Sequence, residues 1–317
     1  RTSVLRIYCK ERKQREGKTL MLTSLDYYRI FYYVAKYRNF TRAADVLLTS
    51  QPTVTRTIKN LESDLGCRLF VRGKRGVTLT TEGELLYSYI APAYEKILKG
   101  EEKLGGETSL QGGSVYVSAT ETSLHCFLLE KLGLFHDRHP QIRLKIINVS
   151  TTQAIENVVS GRSDFAFVAS PAEAPSPLKQ VELHPFRDIL VGNANYIELT
   201  RGSYRLRDLK KYPLISLSRS ASSAYIFYQA VYAKEGLEFR PDIELNTSDL
   251  VIPFIRRNLG VGFVPEELAL PALKAGEIVK IHLKEEIPER IVSVVYNPHY
   301  PLSAAAKELL RLVRQGK

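Results

Sequence analysis

Residues Phe40 to Arg72 read FTRAADVLLTSQPTVTRTIKNLESDLGCRLFVR, a segment with two helical patterns joined by a very short turn. The first pattern places four apolar residues on a single stripe: Ala43, Ala44, Leu47 and Leu48. Thr41 is positioned to cap this helix, because a threonine oxygen can accept from a free backbone N–H of the first turn. We therefore predict a short helix that buries its apolar stripe.

The second pattern predicts a longer helix with one apolar and one polar face. Ser50 is a suitable N-cap, Pro52 fits the first turn, and Gly66 is a suitable stop. The apolar face repeats at steps of four, three and four: Val54, Ile58, Leu61 and Leu65. The other face carries side chains that hydrogen-bond base edges and phosphates: Gln51, Thr53, Thr55, Arg56 and Lys59. Such a pair is typical of a helix-turn-helix that reads DNA, although spacing alone also allows an ordinary solvated helix face.

The residue types favour the DNA-reading interpretation. The fixed positions are Phe40-Thr41-x-Ala43-Ala44, Leu47, Ser50-Gln51-Pro52-x-Val54-Thr55, Ile58, and Leu61-Glu62-x-x-Leu65-Gly66-x-x-Leu69-Phe70-x-Arg72. At these spacings they closely resemble the N-terminal domain of LysR-type transcriptional regulators.

The neighbouring segments complete a winged helix-turn-helix. An apolar stripe between Leu25 and Arg38 predicts a helix under the other two. After Phe70, two short extended runs flank a basic turn bounded by Gly73 and Gly76, which is typical of a hairpin wing. The expected DNA-binding residues are Thr41, Ser50, Gln51, Pro52, Thr53, Thr55, Arg56, Lys59, Arg72, Lys74 and Arg75. A solvated hairpin tip is the alternative for the last three.

A long helix is predicted after the wing, from the capping-box spacing at Thr81 to about Leu104, with Pro92 inside it. Its apolar seam consists of Leu85, Leu86, Tyr89, Ile90, Ala93, Ile97 and Leu104. A seam this long beside so small a domain needs a partner, and a second copy of the chain fits best. In the resembling family this is the linker helix through which two chains dimerise.

From Ser114 onward, strands alternate with helices, which predicts an α/β region with a parallel sheet. Four apolar strands each run into a cluster of hydroxyl or amide residues and then into a helix, beginning near Thr120, Asn148, Ser218 and Asn246. Open α/β sheets bind ligands at such strand ends, and free helix N–H groups there favour anions. One cluster alone is explained by helix capping, but four favour a shared cleft between two lobes.

This region resembles the LysR effector domain, itself similar to type 2 periplasmic binding proteins. The matches are Phe135-x-x-x-x-Pro140, Gly161-x-x-Asp164-Phe165-Ala166, Gly260-Val261-Gly262-Phe263-Val264-Pro265 and Pro301-Leu302-Ser303. The resemblance implies that a small polar or anionic metabolite is bound by Thr120, Thr122, Thr151, Ser222 and Asn246. The predicted domains are an extension without function (1–22), the winged helix-turn-helix (23–80), the linker helix (81–107) and the effector domain (108–317). In the last, lobe I covers 113–169 and 267–317, and lobe II covers 170–266.

Composition and charge agree with a regulator. The net charge is +11, of which residues 1–107 carry +8, so the front third is basic, as a polyanion partner requires. The three cysteines, Cys9, Cys67 and Cys126, form no C-x-x-C pair, which fits a reducing cytoplasm. The sequence contains no run of about 20 apolar residues, so no membrane span is predicted.

Catalysis has no visible apparatus in the sequence. His136-x-x-His139 lacks a third metal ligand, and no nucleophile elbow, P-loop or dinucleotide motif occurs, so neither an enzyme nor a cofactor is expected. The remaining alternative is a small-molecule binding protein whose front domain serves assembly. We expect a cytoplasmic LysR-type regulator that binds double-stranded DNA, dimerises through the linker helix, forms tetramers through its effector domains and contacts RNA polymerase.

Overall fold

A computed structural model describes residues 24–73, 76–105, 110, 112–219 and 223–315. The chain divides into two compact units between Lys99 and Gly100. None of the helices in the described part of the chain combines the length and apolar character needed to cross a membrane.

The first unit is a three-helix core with a two-stranded wing. Its elements are α1 (Leu25–Tyr37), α2 (Phe40–Val46), α3 (Gln51–Leu65), β1 (Phe70–Gly73), β2 (Gly76–Leu79) and α4 (Thr81–Gly105), which continues past the division. The apolar stripes of the helices meet in a core that includes Phe31, Val34, Ala43, Ala44, Val54, Ile58, Leu61 and Leu69. The predicted winged helix-turn-helix is confirmed.

Several predicted local details of this unit are wrong. Asn39, not Thr41, caps α2, because α2 begins at Phe40 and the Asn39 side chain accepts from the Arg42 N–H at 3.0 Å. Thr80, not Thr81, caps α4, since its hydroxyl accepts from the Gly83 N–H at 2.9 Å. Leu48 is 95% exposed rather than buried, because it lies after the end of α2 with a left-handed φ of 51°.

The apolar face of α3 also ends earlier than predicted. Leu65 is exposed, although its spacing continues the stripe of Val54, Ile58 and Leu61. It is the last residue of α3, where Gly66 turns the chain away with a φ of 70°. The helix therefore loses its buried face one turn before the helix ends.

The second unit contains two sheets. The strands that follow the wing are β3 (Ser114–Ala119), β4 (Arg143–Asn148), β5 (Phe165–Ala169), β6 (Lys179–Phe186), β7 (Asp188–Asn193), β8 (Ser203–Tyr204), β9 (Leu214–Leu217), β10 (Ile243–Leu245), β11 (Val261–Pro265), β12 (Ile278–Leu283) and β13 (Arg290–Tyr296). The first sheet has the order β4-β3-β5-β13-β6 and the second the order β10-β9-β11-β7-β12-β8.

Helices cover both sheets, each with its own hydrophobic core. They are α5 (Glu121–Ser123), continued by a π-helical turn into α6 (Leu129–Arg138), α7 (Thr151–Val159), α8 (Ser223–Lys234), α9 (Val251–Arg256), α10 (Glu266–Lys274) and α11 (Ala304–Arg314). The α/β class is confirmed. The sheets are mixed rather than purely parallel, because β13 runs antiparallel to β5 and β6, and β7 antiparallel to β11 and β12.

The sheets define two lobes whose limits differ from the predicted ones. The first lobe contains 114–186 and 290–315, and the second contains the described residues between 188 and 283. The predicted limits, 170 and 266, put β6 and β12 in the wrong lobes. β6 pairs along its length with β13 in the first sheet, and β12 pairs with β7 in the second. The chain therefore crosses between the lobes at Arg187 and again between Leu283 and Arg290.

Candidate DNA-binding surface and ligand cleft

Helix α3 presents the predicted reading face to solvent. Its start is fixed by Ser50, whose hydroxyl accepts from the Thr53 N–H at 3.3 Å. Pro52 lies in the first turn. Gln51 donates from its side-chain amide to the Thr55 hydroxyl at 2.9 Å, which keeps both side chains on one side of the helix. Because Val54, Ile58 and Leu61 are buried on the opposite side, the polar face is oriented outward.

The basic residues of this face are exposed. Among the described residues, neither Arg56 nor Lys59 forms an ion pair, and both side chains are solvent-exposed. Thr53 is exposed beside them, and Thr41 is exposed in the first turn of α2. Exposed cations next to hydroxyl and amide groups can contact phosphates and base edges together.

Glu62 connects α3 to the wing, and this contact was not predicted from the sequence. Its Oε1 accepts from the backbone N–H groups of Leu69 at 2.8 Å and Phe70 at 3.2 Å. Phe70 begins β1, whose pairing with β2 closes with Gly73 opposite Gly76. Lys74 and Arg75 lie outside the described residues. Arg72 is placed only by its backbone, in β1 opposite Val77.

The cleft between the lobes contains a cavity of about 170 Å³ at the ends of several strands. Four of the five predicted effector residues line it: Thr120, Thr122, Thr151 and Asn246. The fifth, Ser222, lies outside the described residues, and its neighbour Ser223 lines the cavity. The structure thus brings together residues from both halves of the unit, as the four polar clusters indicated.

Two hydroxyls of the predicted clusters act as helix caps. Thr120 accepts from the Ser123 N–H at 3.3 Å, and Ser150 accepts from the Gln153 N–H at 3.4 Å. Both capping residues lie in the lining of the cavity. Ser218 donates to the side-chain oxygen of Asn246 at 3.1 Å, which links the ends of the parallel strands β9 and β10.

Glu121 and Arg290 are the charged residues among the described lining of this cavity, and neither was predicted from the sequence to bind an effector. Glu121 lies between Thr120 and Thr122 in the sequence, so its position in this polar cluster could have identified it as a cavity residue. Arg290 begins β13, far from every cluster, and only the sheet order brings it to the cleft. Glu121 accepts from the Ser248 N–H at 2.7 Å, a hydrogen bond between the lobes.

Arg290 belongs to a buried network that also joins the lobes. Its guanidinium donates to the Ser170 carbonyl at 2.7 Å and to Asp188 Oδ2 at 3.0 Å. The Tyr228 hydroxyl donates to the same Asp188 oxygen at 2.7 Å. Burial, together with the negative charge of Asp188, raises the pKa of Tyr228 well above its ordinary value. Tyr228 therefore stays a donor across the physiological range.

Two other groups considered from the sequence have ordinary structural surroundings. Cys126 is buried, and burial raises the pKa of its thiol, which keeps it from the reactive thiolate form. His139 lies 3.8 Å from Glu308 and packs on Phe135. Among the described residues, no cluster of three or more His, Cys, Asp or Glu side chains is arranged for a metal ion.

In a comparison with known protein families, two models match separate parts of the chain, one in each compact unit. A family model described as "LysR substrate binding domain" matches residues 108–317. A second model, "Bacterial regulatory helix-turn-helix protein, lysR family", matches residues 25–84. Together the two models cover most of the chain.

Relatives and solved structures agree with these matches over nearly the full length. The chain is 27% identical over 296 residues to a probable RuBisCO transcriptional regulator of Porphyra purpurea, covering 90% of this chain and 91% of that protein. It is 27% identical over 293 residues to the one from Nostoc sp., covering 90% and 86%.

Among solved structures, full-length CbnR complexed with its target DNA covers 93% of this chain and 100% of that one, with a TM-score of 0.71 and 17% identity. The probable transcriptional regulator PA0477 from Pseudomonas aeruginosa covers 91% and 96%, with a TM-score of 0.65 and 19% identity. These structures share the fold, and the family models extend the relationship to function: members are transcriptional regulators with a DNA-binding helix-turn-helix and an effector-binding domain, not enzymes. With one model matching about two thirds of its length, the chain belongs to the LysR family of transcriptional regulators.

Proposed function

We propose that this regulator reads DNA with the solvent face of α3 and anchors itself through the wing. Base contacts come from Gln51 and Thr55. Phosphate contacts come from Thr41, Ser50, Thr53, Arg56 and Lys59, with Pro52 shaping the first turn and Arg72, Lys74 and Arg75 following the backbone or the minor groove. The observation that carries this proposal is the division of α3 into an apolar face buried at Val54, Ile58 and Leu61 and a polar face on which Thr53, Arg56 and Lys59 are exposed.

Dimerisation through α4 is the second part of the proposal. Leu86, Tyr87 and Ile90 pack on the core of the first unit, whereas Leu85 and Tyr89 are 62% and 71% exposed. These two, one turn apart, form an apolar stripe that a second α4 would cover. A dimer would place two reading helices in successive major grooves about 34 Å apart, so the target is a palindrome.

The third part concerns the effector and assembly. A small polar or anionic metabolite is bound by Thr120, Thr122, Thr151 and Asn246, which line the cavity, together with Ser222. Ligand binding changes the relative stability of two arrangements of the lobes and thereby the fit of the oligomer to DNA. The dimers pair into a tetramer through their effector domains, and the DNA-bound protein contacts RNA polymerase in the cytoplasm.

The experiment that tests DNA reading is selection from a pool of randomised duplexes at fixed salt, followed by sequencing of the retained DNA. We expect a two-fold-symmetric motif for the parent chain and its loss for Gln51→Ala with Thr55→Ala. The control is Thr200→Ala with Gln180→Ala, which removes one hydroxyl and one amide from the second unit. Weak retention without sequence preference would instead favour a small-molecule binding protein whose first unit serves assembly.

A further inference from the structure

Several buried polar atoms of the cleft have no hydrogen-bond partner among the residues that the structure describes. Within the described residues, no hydrogen-bond partner is present for Arg290 Nη2, Thr151 Oγ1 or Ser248 Oγ, and all three residues line the same cavity. Arg290 is 2% exposed and Ser248 is 5% exposed. A guanidinium has donors only and stays charged, so an unpaired buried N–H of this group is costly. An oxyanion is the kind of ligand group that such donors bind.

The adjacent backbone also favours an anion. Thr151 is the first residue of α7, which has nine residues and is capped by Ser150 at the cavity. The N-terminus of such a helix carries a partial positive charge and free N–H groups. The charge of Arg290 is matched by Asp188, but its Nη2 remains a donor without a described partner, so this group and the helix end both favour a ligand oxygen that accepts hydrogen bonds.

Glu121 limits how much negative charge the cavity can accept. Its carboxylate lies in the lining and accepts from the Ser248 N–H, next to the Ser248 hydroxyl that has no partner. A second anionic group at this end of the cavity would meet like charge in a partly buried site, which is unfavourable. The inner cavity therefore suits one anionic group.

The cavity adjoins a second, outer one of about 500 Å³, with which it shares Ser150, Thr151 and Ser223. Apolar side chains line part of the outer cavity: Ile155, Val159 and Ile226. Its charged lining consists, in the described residues, of Glu156, Glu173 and Arg219, two acidic groups against one basic. This lining favours an uncharged, partly apolar tail rather than a second carboxylate.

We propose that the cleft binds a small organic monoanion with an uncharged tail. Arg290, Thr151 and Ser248 bind its oxyanion, the tail occupies the outer cavity, and Glu121 excludes a second anionic group. This inference rests on the proposed role of the cleft as the effector site and specifies the ligand class for it.

The class is tested by calorimetric titration of the full chain with matched acids of equal carbon number: butyrate and succinate, hexanoate and adipate, octanoate and suberate. We expect the monocarboxylate of at least one pair to bind about tenfold or more tightly than its dicarboxylate, because the second carboxylate would meet the like charges of Glu121, Glu156 and Glu173 in a partly buried site. Equal or tighter binding of every dicarboxylate, or no binding of any monocarboxylate, would overturn the proposal.

The binding groups are tested with Thr151→Val combined with Ser248→Ala, which removes both unpartnered hydroxyls. We expect affinity for the bound monocarboxylate to fall about tenfold or more, while the apo midpoint of thermal unfolding stays the same or rises. Arg290→Lys should weaken binding as well. Because that variant disturbs a buried ion pair, the double variant decides the result. Thr200→Val with Ser203→Ala is the control for hydroxyl loss elsewhere. Unchanged affinity with a lower midpoint in the double variant would assign the hydroxyls a structural role and refute the site.

The selectivity role of Glu121 is tested with Glu121→Gln, which keeps an oxygen that can accept from Ser248. We expect the preference for hexanoate over adipate to shrink about tenfold or more relative to the parent chain. An undiminished preference would contradict this role. DNA binding is measured on the same samples by anisotropy. If the parent chain shows no preference for monocarboxylates but still binds DNA, only the ligand class is refuted, whereas a parent chain that does not bind DNA would refute the proposed function.

Discussion

At the scale of single residues, two consecutive ion pairs connect the chain crossings between the lobes. Arg187, at the first crossing, donates to Glu289 at 2.8 Å on the exposed side. The next residues, Asp188 and Arg290, form the buried pair. An exposed pair contributes little, but breaking a buried one leaves an uncompensated charge and costs several kcal/mol. The buried pair therefore fixes how the crossing segments meet.

Tyr228→Phe should destabilise the second unit and remove a pH dependence. The change deletes the buried donor to Asp188, at an expected cost of about 1–3 kcal/mol. The pKa of Tyr228 is raised in the folded state. Its contribution is therefore fully present below the unfolded pKa of about 10 and is lost as the pH rises beyond it.

Urea unfolding at pH 8 and at about pH 10.5 checks this prediction. The parent should lose more stability between the two pH values than the variant, since the variant has no hydroxyl to titrate. Tyr232→Phe is the matched control, because the pKa of Tyr232, raised to about 12 mainly by burial, reflects no bond to Asp188. A larger cost at pH 8 for Tyr232→Phe than for Tyr228→Phe would contradict the importance of the network.

Arg56→Ala with Lys59→Ala should weaken DNA binding and reduce its salt dependence. Each phosphate contact contributes about 0.9 to the slope of log affinity against log salt, so losing two in each of two protomers should lower the slope by about 3–4. Anisotropy over a salt series measures it. The control, Lys234→Ala with Lys274→Ala, removes the same charge from exposed positions of the second unit. Equal slopes for all three proteins would place the phosphate contacts elsewhere.

At the scale of elements, α4 joins the wing through a glycine that admits no side chain. A Cβ at Gly83 would lie 2.1 Å from the Leu69 carbonyl oxygen, whereas a Cβ at Gly100 of the same helix meets no described atom within 4 Å. Gly83→Ala should therefore destabilise the first unit by about 1–3 kcal/mol. Gly100→Ala should stabilise the helix by about 0.5–1 kcal/mol. Thermal unfolding of both variants is the measurement, and a neutral Gly83→Ala would contradict the close packing of α4 against the Leu69 backbone, just before β1.

The sequence predicts elements better than it predicts their ends. Helix α3 was predictable because Ser50, Pro52 and Gly66 mark its limits and Val54, Ile58 and Leu61 its buried face. The cap of α2 was not, since Asn39 precedes the segment whose periodicity identified the helix. Local signals of similar strength compete at such positions, and hydrogen bonds formed only in the fold decide between them.

At the scale of the whole molecule, the sequence indicated which polar strand ends lie together better than it indicated the limits of the lobes. Thr120, Thr151 and Asn246 were recognisable because strand ends followed by helix caps carry a local signature. The assignment of β6 and β12 depends on pairing with distant strands, and β6 meets β13 more than a hundred residues later. Arg290 reaches the cleft through that same pairing. Pairing between strands that are far apart in the sequence cannot be recognised from local residue patterns. Neither the lobe limits nor the position of Arg290 in the cleft could therefore be predicted.

Oligomerisation and DNA reading should depend on each other through α4. Leu85→Glu with Tyr89→Glu places two charges on the proposed dimer stripe. Because each large side chain buried there contributes roughly 1.5–3 kcal/mol per protomer, the variant should sediment as a monomer at concentrations where the parent is a dimer or larger. Ile197→Glu with Leu259→Glu is the control, the same change at exposed apolar positions of the second unit.

The same variants connect assembly to the target. A dimer binds both halves of a palindrome, so the parent should prefer a full site over a half-site by two or more orders of magnitude through effective concentration. The Leu85→Glu, Tyr89→Glu variant should lose most of that preference and keep its half-site affinity, since α3 is unchanged. Anisotropy with both duplexes measures the ratio. If the variant becomes monomeric yet still prefers the full site, then a single chain reads both halves, and the proposed placement of two reading helices is wrong.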